Sequence, residues 1–112
     1  SAYDYIVAGM RSSAMGGTCR MLSTLPFAAC GKTGTAQNRG HDHSVFMGFA
    51  PMDHPKIAIA VYVENGGWGA DYGVPIGKVL MEQYITGKLS KAGRNLAAEM
   101  QKRRISYGDA ER

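Results

Sequence analysis

The run from Lys56 to Glu64 constrains this chain more than any other stretch. Its interior, Ile57-Ala58-Ile59-Ala60-Val61-Tyr62-Val63, carries no charge. On an extended strand Ile57, Ile59, Val61 and Val63 fall on one side, and Ala58, Ala60 and Tyr62 on the other. Both faces are uncharged, so both are expected to be covered. Two earlier runs, Phe27 to Gln37 and His43 to Ala50, also read as strands. Asn38-Arg39-Gly40-His41-Asp42 and Pro51-Met52-Asp53-His54-Pro55 are turn material between them. Three strands joined by short turns predict an antiparallel meander.

Helical spacing flanks the meander. Tyr3, Ile6, Val7, Met10 and Ala14 recur on one face of a helix over 3–14, started by Ser1 or Ala2 and stopped by Gly16-Gly17. A connector runs from Thr18 to Pro26. After the strands, Asn65-Gly66-Gly67-Trp68-Gly69 reads as a flexible loop, whose Trp68 either packs against the sheet end or lines the mouth of a groove, with packing favoured. Asp71 to Ile85 reads as a second helix, with Val74, Val79, Leu80, Met81, Tyr84 and Ile85 as its apolar positions. Pro75 falls in its first turns, where proline is tolerated, and Gly87 ends it. Leu89 to Ile105 carries a weaker helical pattern in Leu96, Ala97 and Met100. The last seven residues are expected to fray. The class is therefore α+β, an antiparallel three-stranded meander with flanking helices.

The 112 residues, 45% apolar, suffice for one domain and exclude a disordered chain. No apolar run approaches a membrane span, and no signal peptide opens the sequence. The start, Ser1-Ala2-Tyr3-Asp4, reads as the interior of a longer protein. The net charge of +4 is unevenly placed. Residues 1–87 hold six basic and six acidic side chains, whereas residues 88–112 hold seven and three. No aromatic-rich basic face accompanies that tail, so a solvated helix or frayed end is favoured over a nucleic-acid arm. Cys19 and Cys30 fit no zinc or C-x-x-C pattern; both sit among small residues, which favours buried thiols, and spacing leaves a disulfide open.

The chemistry concentrates in Ala29-Cys30-Gly31-Lys32-Thr33-Gly34-Thr35-Ala36-Gln37-Asn38. A cation beside two hydroxyls suits a site that grips a carboxylate. Thr33 and Thr35 lie two apart, so on a strand both hydroxyls face the same way. Gly34 lets a ligand backbone lie close. The rival is a small carboxylate- or phosphate-binding module on Gly31-Lys32-Thr33. Its P-loop form needs a glycine at position 26, which is Pro26, and a helix immediately after, for which Gly34, Thr35 and Asn38 are poor material. An ordinary polar strand is the plainest reading of the spacing. His41-Asp42-His43 offers ligand types for a metal, yet residues two apart diverge in a helix and nothing backs them up; a polar turn is favoured and no metal is expected.

Lys32-Thr33-Gly34-Thr35-Ala36-Gln37-Asn38 followed by His43-Ser44-Val45-Phe46-Met47-Gly48-Phe49-Ala50-Pro51 resembles the penicillin-binding transpeptidases. Pro55-Lys56-Ile57-Ala58-Ile59-Ala60-Val61 and Glu64-Asn65-Gly66-Gly67 continue the likeness, and Gly9-Met10-Arg11 and Gly16-Gly17-Thr18 fit it. It is similar to the carboxyl-terminal part of class B enzymes of the penicillin-binding protein 2 type, over about residues 3 to 87. The resemblance implies a transpeptidase part over 1–87 and a basic, partly helical or frayed tail over 88–112. The family uses three motifs, Ser-x-x-Lys, Ser-x-Asn and Lys-Thr-Gly. Only the third is in this sequence; no serine stands three before a lysine, and Ser12-Ser13-Ala14 and Ser44-Val45-Phe46 lack the asparagine.

By the resemblance, Lys32, Thr33, Gly34 and Thr35 are the catalytic strand. Lys32 sets the electrostatics, Thr33 and Thr35 bind the substrate or antibiotic carboxylate, the Thr35 N–H is one oxyanion donor, and Gln37 lies next to the ligand. The implied partners are a peptidoglycan stem peptide or a β-lactam, and the machinery of cell-wall elongation; no cofactor and no nucleic acid are implied. The implied parent is an inner-membrane enzyme with this region on the periplasmic side. With no nucleophile, the chain alone is expected to be inactive. The family's five-stranded sheet takes its first two strands from before the serine. Without them the edge of strand 56–64 is expected to be unpaired, one sheet face to be stripped of its helix, and the chain to self-associate.

Overall fold

A computed structural model describes residues 1–37 and 39–105. Three strands form one antiparallel sheet in the order β1-β2-β3: β1 Cys30–Ala36, β2 His43–Ala50 and β3 Ile57–Val63. Helix α1 is Ala2–Gly16, a 3-10 turn follows at Arg20–Thr24, and α2 Gly73–Thr86 and α3 Lys91–Lys102 complete the order. The expected meander is present, and β2 has the expected limits. β1 is shorter than expected at both ends, so Gln37 lies just beyond it. The fraying expected of the last seven residues, and Asn38 of the first turn, lie outside the described residues.

Local chemistry explains the helix ends. Ser1 caps α1: its hydroxyl accepts from the Asp4 N–H while the Asp4 carboxylate takes the Ser1 amine, a capping box. Gly87 closes α2 at φ 83°, a left-handed conformation that costs glycine little. Ser90 caps α3, its hydroxyl accepting from the Gly93 N–H at 3.0 Å.

The core lies on one sheet face. Register places Gly31, Phe46 and Ile59 on the same side as Thr33, Ser44, Val61 and Val63. Phe46 is fully buried at the centre, with Leu22, Cys19, Val74 and Met81. The helices come close because glycines face the ring: a Cβ on Gly77 of α2 would stand 2.3 Å from Phe46 Cε2. Cys19 and Cys30 are both buried free thiols. Burial pushes the Cys30 thiol above its ordinary 9.0, with Asp53 adding to the rise and Arg11 opposing it.

Three expectations about burial are corrected. Ala58, Ala60 and Tyr62 on the second face of β3 are exposed, because among the described residues the only helical side chain lining a cleft with Ala58 and Ala60 is Met10 of α1, which leaves them open. Tyr3 and Ile6 are exposed because the first half of α1 overhangs the sheet, and only Ala14 of that helix is fully enclosed. On α2, Leu80 and Tyr84 point outward while Glu82 is buried, because α3 packs there: Glu82 Oε1 accepts from the Ser90 backbone N–H at 3.3 Å and its hydroxyl at 3.2 Å.

Candidate functional site

β1 is an edge strand, paired with β2 alone. Lys32 is exposed on it and its ammonium donates to the Thr33 carbonyl at 2.8 Å. Thr33 is half-buried and donates through Oγ1 to Thr18 Oγ1 at 2.9 Å, with Ser13 Oγ a further 3.4 Å away. Thr35 is exposed. The two threonines share a face, as their spacing requires, and Lys32 projects from the opposite face. The amine folds onto the strand's own backbone. Gly34 is exposed, and a Cβ there would meet nothing nearer than Val45 Cβ at 3.7 Å, so packing does not demand the glycine. Gln37 is exposed beyond the strand end.

Lys32 therefore sits inside a strand that continues through Ala36, and no helix begins after it. That overturns the P-loop form of the rival reading, which needs its lysine at a helix start.

The loop between β3 and α2 lies over this strand. Gly69 is pressed against it: a Cβ there would stand 2.7 Å from Thr33 Cβ and 3.1 Å from the Gly34 carbonyl. Buried Ser44, opposite Thr35 in register, anchors the loop from within. Its hydroxyl donates to the Trp68 carbonyl at 2.9 Å and accepts from the Gly73 N–H at 3.1 Å. The Gly67 N–H donates to the Asp42 carbonyl at 2.8 Å. The Asn65 N–H donates to His43 Nδ1 at 2.9 Å, which occupies one nitrogen of one of the two imidazoles weighed as metal ligands. Among the described residues no three His, Cys, Asp or Glu side chains gather as a metal site.

Trp68 does not pack against the sheet end. It is 72% exposed and, with Thr35, Gly40, His41, Asp42 and Gly67, lines a cleft of about 240 Å³. The correction has a physical cause: Gly66 and Gly69 are the residues buried against the sheet, so the indole between them is turned out. A second cleft of about 490 Å³ opens beside Thr18, lined also by Arg20, Met21, Ala70, Asp71 and Val74. The strand reading missed Thr18 and Ser44. For Ser44 a signal existed, a lone hydroxyl on the Phe46 side of an otherwise apolar strand.

The model of the penicillin binding protein transpeptidase domain matches residues 1–82. The chain belongs to the penicillin-binding transpeptidase family. A curated relative, the peptidoglycan D,D-transpeptidase MrdA of Acinetobacter baumannii, is 44% identical over 69 residues, 47% of this chain and 10% of that protein. Pseudomonas aeruginosa PBP2, solved in complex with WCK 5153, superposes with a TM-score of 0.69 at 40% identity over 80% of this chain and 21% of that one. Helicobacter pylori PBP2, solved in complex with MreC, gives 0.58 at 29% identity over 72% and 17%. The likeness is to a fragment of the PBP2-type transpeptidases: the chain spans 10% to 15% of the length of the first two curated relatives it matches.

Proposed function

We propose that this chain supplies one wall of the acyl-transfer cleft of a peptidoglycan D,D-transpeptidase. The observation that carries the reading is Lys32-Thr33-Gly34-Thr35 on an edge strand, whose outer side pairs with no other strand among the described residues. N–H and C=O groups of residues two apart on a strand point to the same side. The Thr35 N–H therefore shares the side of the Thr33 carbonyl that Lys32 caps, and serves as one donor to the developing oxyanion. Lys32 sets the electrostatics of the cleft, and the Thr33 and Thr35 hydroxyls hold the substrate or antibiotic carboxylate. Gln37 and Trp68 flank it.

The reaction is acyl transfer from a stem peptide, or acylation by a β-lactam, at a serine this sequence does not contain. The chain alone therefore turns nothing over and takes no covalent label. Incubation with a fluorescent penicillin checks this: the expected result is no label surviving heat and detergent, and a stable covalent label overturns it. The parent is a membrane-held cell-wall enzyme with this region on the outer side, working with the elongation machinery; the complex of a relative with MreC supports that setting. The β3 edge and its open apolar face also predispose the isolated chain to self-association.

A further inference from the structure

α3 lies outside the matched domain, which ends at Glu82, yet it is tied to the site's loop. Glu82 holds its start through Ser90, and a Cβ on Gly93 would stand 2.1 Å from Glu82 Oε1, so the helix fits closely there. At its far end Arg103 reaches the loop, and Arg104 and Ile105 line a cleft with Asn65, Gly66, Gly67 and Tyr72 beside it. The Arg103 guanidinium lies over the Tyr72 ring at 5.2 Å, donates to the Asp71 carbonyl, and pairs with Glu99 Oε2 at 2.6 Å.

Asp71 and Tyr72 close the loop that carries Trp68. The Asp71 N–H donates to the Trp68 carbonyl at 3.0 Å, the same oxygen that Ser44 binds from inside. The loop thus has an inner anchor in the sheet and an outer one in α3. We propose that Arg103 is a positioning residue: it fixes the outer end of the Trp68 loop and so sets how far the indole stands from Thr35, with α3 as the strap that carries it. Arginine suits the task because a planar fork can stack on a ring and donate to two acceptors at once; lysine keeps the charge but not the stack. The significance for a ligand rests on the reading of β1 as the wall of a carboxylate site. The anchoring itself can be tested apart from that reading.

Trp68 is the sole tryptophan, so its fluorescence reports this loop alone. The experiment compares the full chain with Arg103→Ala, Arg103→Lys and Glu99→Gln by tryptophan anisotropy and amide hydrogen exchange. For Arg103→Ala, exchange of the Asp71 N–H quickens by roughly tenfold and Trp68 anisotropy falls, because a charge-assisted bond and a cation–π contact are lost together. Arg103→Lys recovers part of both, and Glu99→Gln moves them less than Arg103→Ala. The Arg94 N–H, bonded to the Ser90 carbonyl at 2.9 Å, keeps its protection in all three. Unchanged Asp71 exchange and Trp68 anisotropy in Arg103→Ala overturn the proposal. So does equal loss of protection at Arg94, which makes Arg103 a general support of α3. A penicillin label on the unaltered chain would sink the reading of the site and leave this anchoring intact.

Discussion

The two faces of the sheet are built on opposite principles. One is fitted around a single ring: Gly31, Gly48 and Gly77 all face Phe46, and a Cβ on any of them would stand within 2.7 Å of it. The other face carries Met47 and Tyr62, 53% and 60% exposed, with Ala58 and Ala60 open beside them. Both faces are apolar, so hydrophobicity alone does not separate them. Close approach of α2 does: Gly73 and Gly77 bring its backbone against Phe46, whereas a Cβ on Gly34 of the other face would meet nothing nearer than 3.7 Å. Stability should therefore reside on one side, while the other is left for contact with something else.

The comparison breaks most directly at Phe46. Phe46→Ala removes the ring around which α2, β1 and β2 close, and should destabilise the chain by about 3–5 kcal/mol. Urea unfolding followed by circular dichroism measures it; a loss near that of a surface substitution would mean the two faces are energetically alike. The open face should give the opposite result. Met47→Ser and Tyr62→Ser should each shift stability by no more than about 0.5 kcal/mol. The same pair should weaken self-association in sedimentation at high concentration. A large loss of stability, with the oligomer unchanged, would reassign that face to the core.

The asymmetry was only half legible in the sequence. Period-two alternation identified which residues share a face, and turn residues set the limits of β2 closely. Alternation does not say which face a helix will cover. Coverage depends on Gly73 and Gly77, far along the chain, whose meaning appears only once Phe46 lies beneath them. The same limit applies to the site. Thr33 and Thr35 on one side followed from spacing, whereas Lys32 reads as a cation beside them and lies on the other face. The Ser44 anchor and the outward turn of Trp68 did not, because both depend on a loop 24 residues away from Ser44 closing over β1. Glu82 is not among the apolar positions expected of its helix, and its burial is intelligible only with Ser90 packed against it.

The smallest expected effect concerns Cys30, which sits at the start of β1 and turns its side chain toward the second face, where the beginning of the strand is enclosed. It therefore tests whether that face is closed anywhere. Burial raises the folded thiol above 9.0, so as pH climbs the unfolded chain releases the proton first. From there up to the folded value the native state binds more protons, and stability must fall as pH rises; below that window the thiol contributes no slope. Melting measured from pH 7 to 10 should show a steeper alkaline decline in the unaltered chain than in Cys30→Ala, once each is referred to its own value at pH 7. The subtraction removes tyrosine and lysine titrations common to both. Equal slopes would mean that water reaches the thiol, and that the second face is open along its whole length.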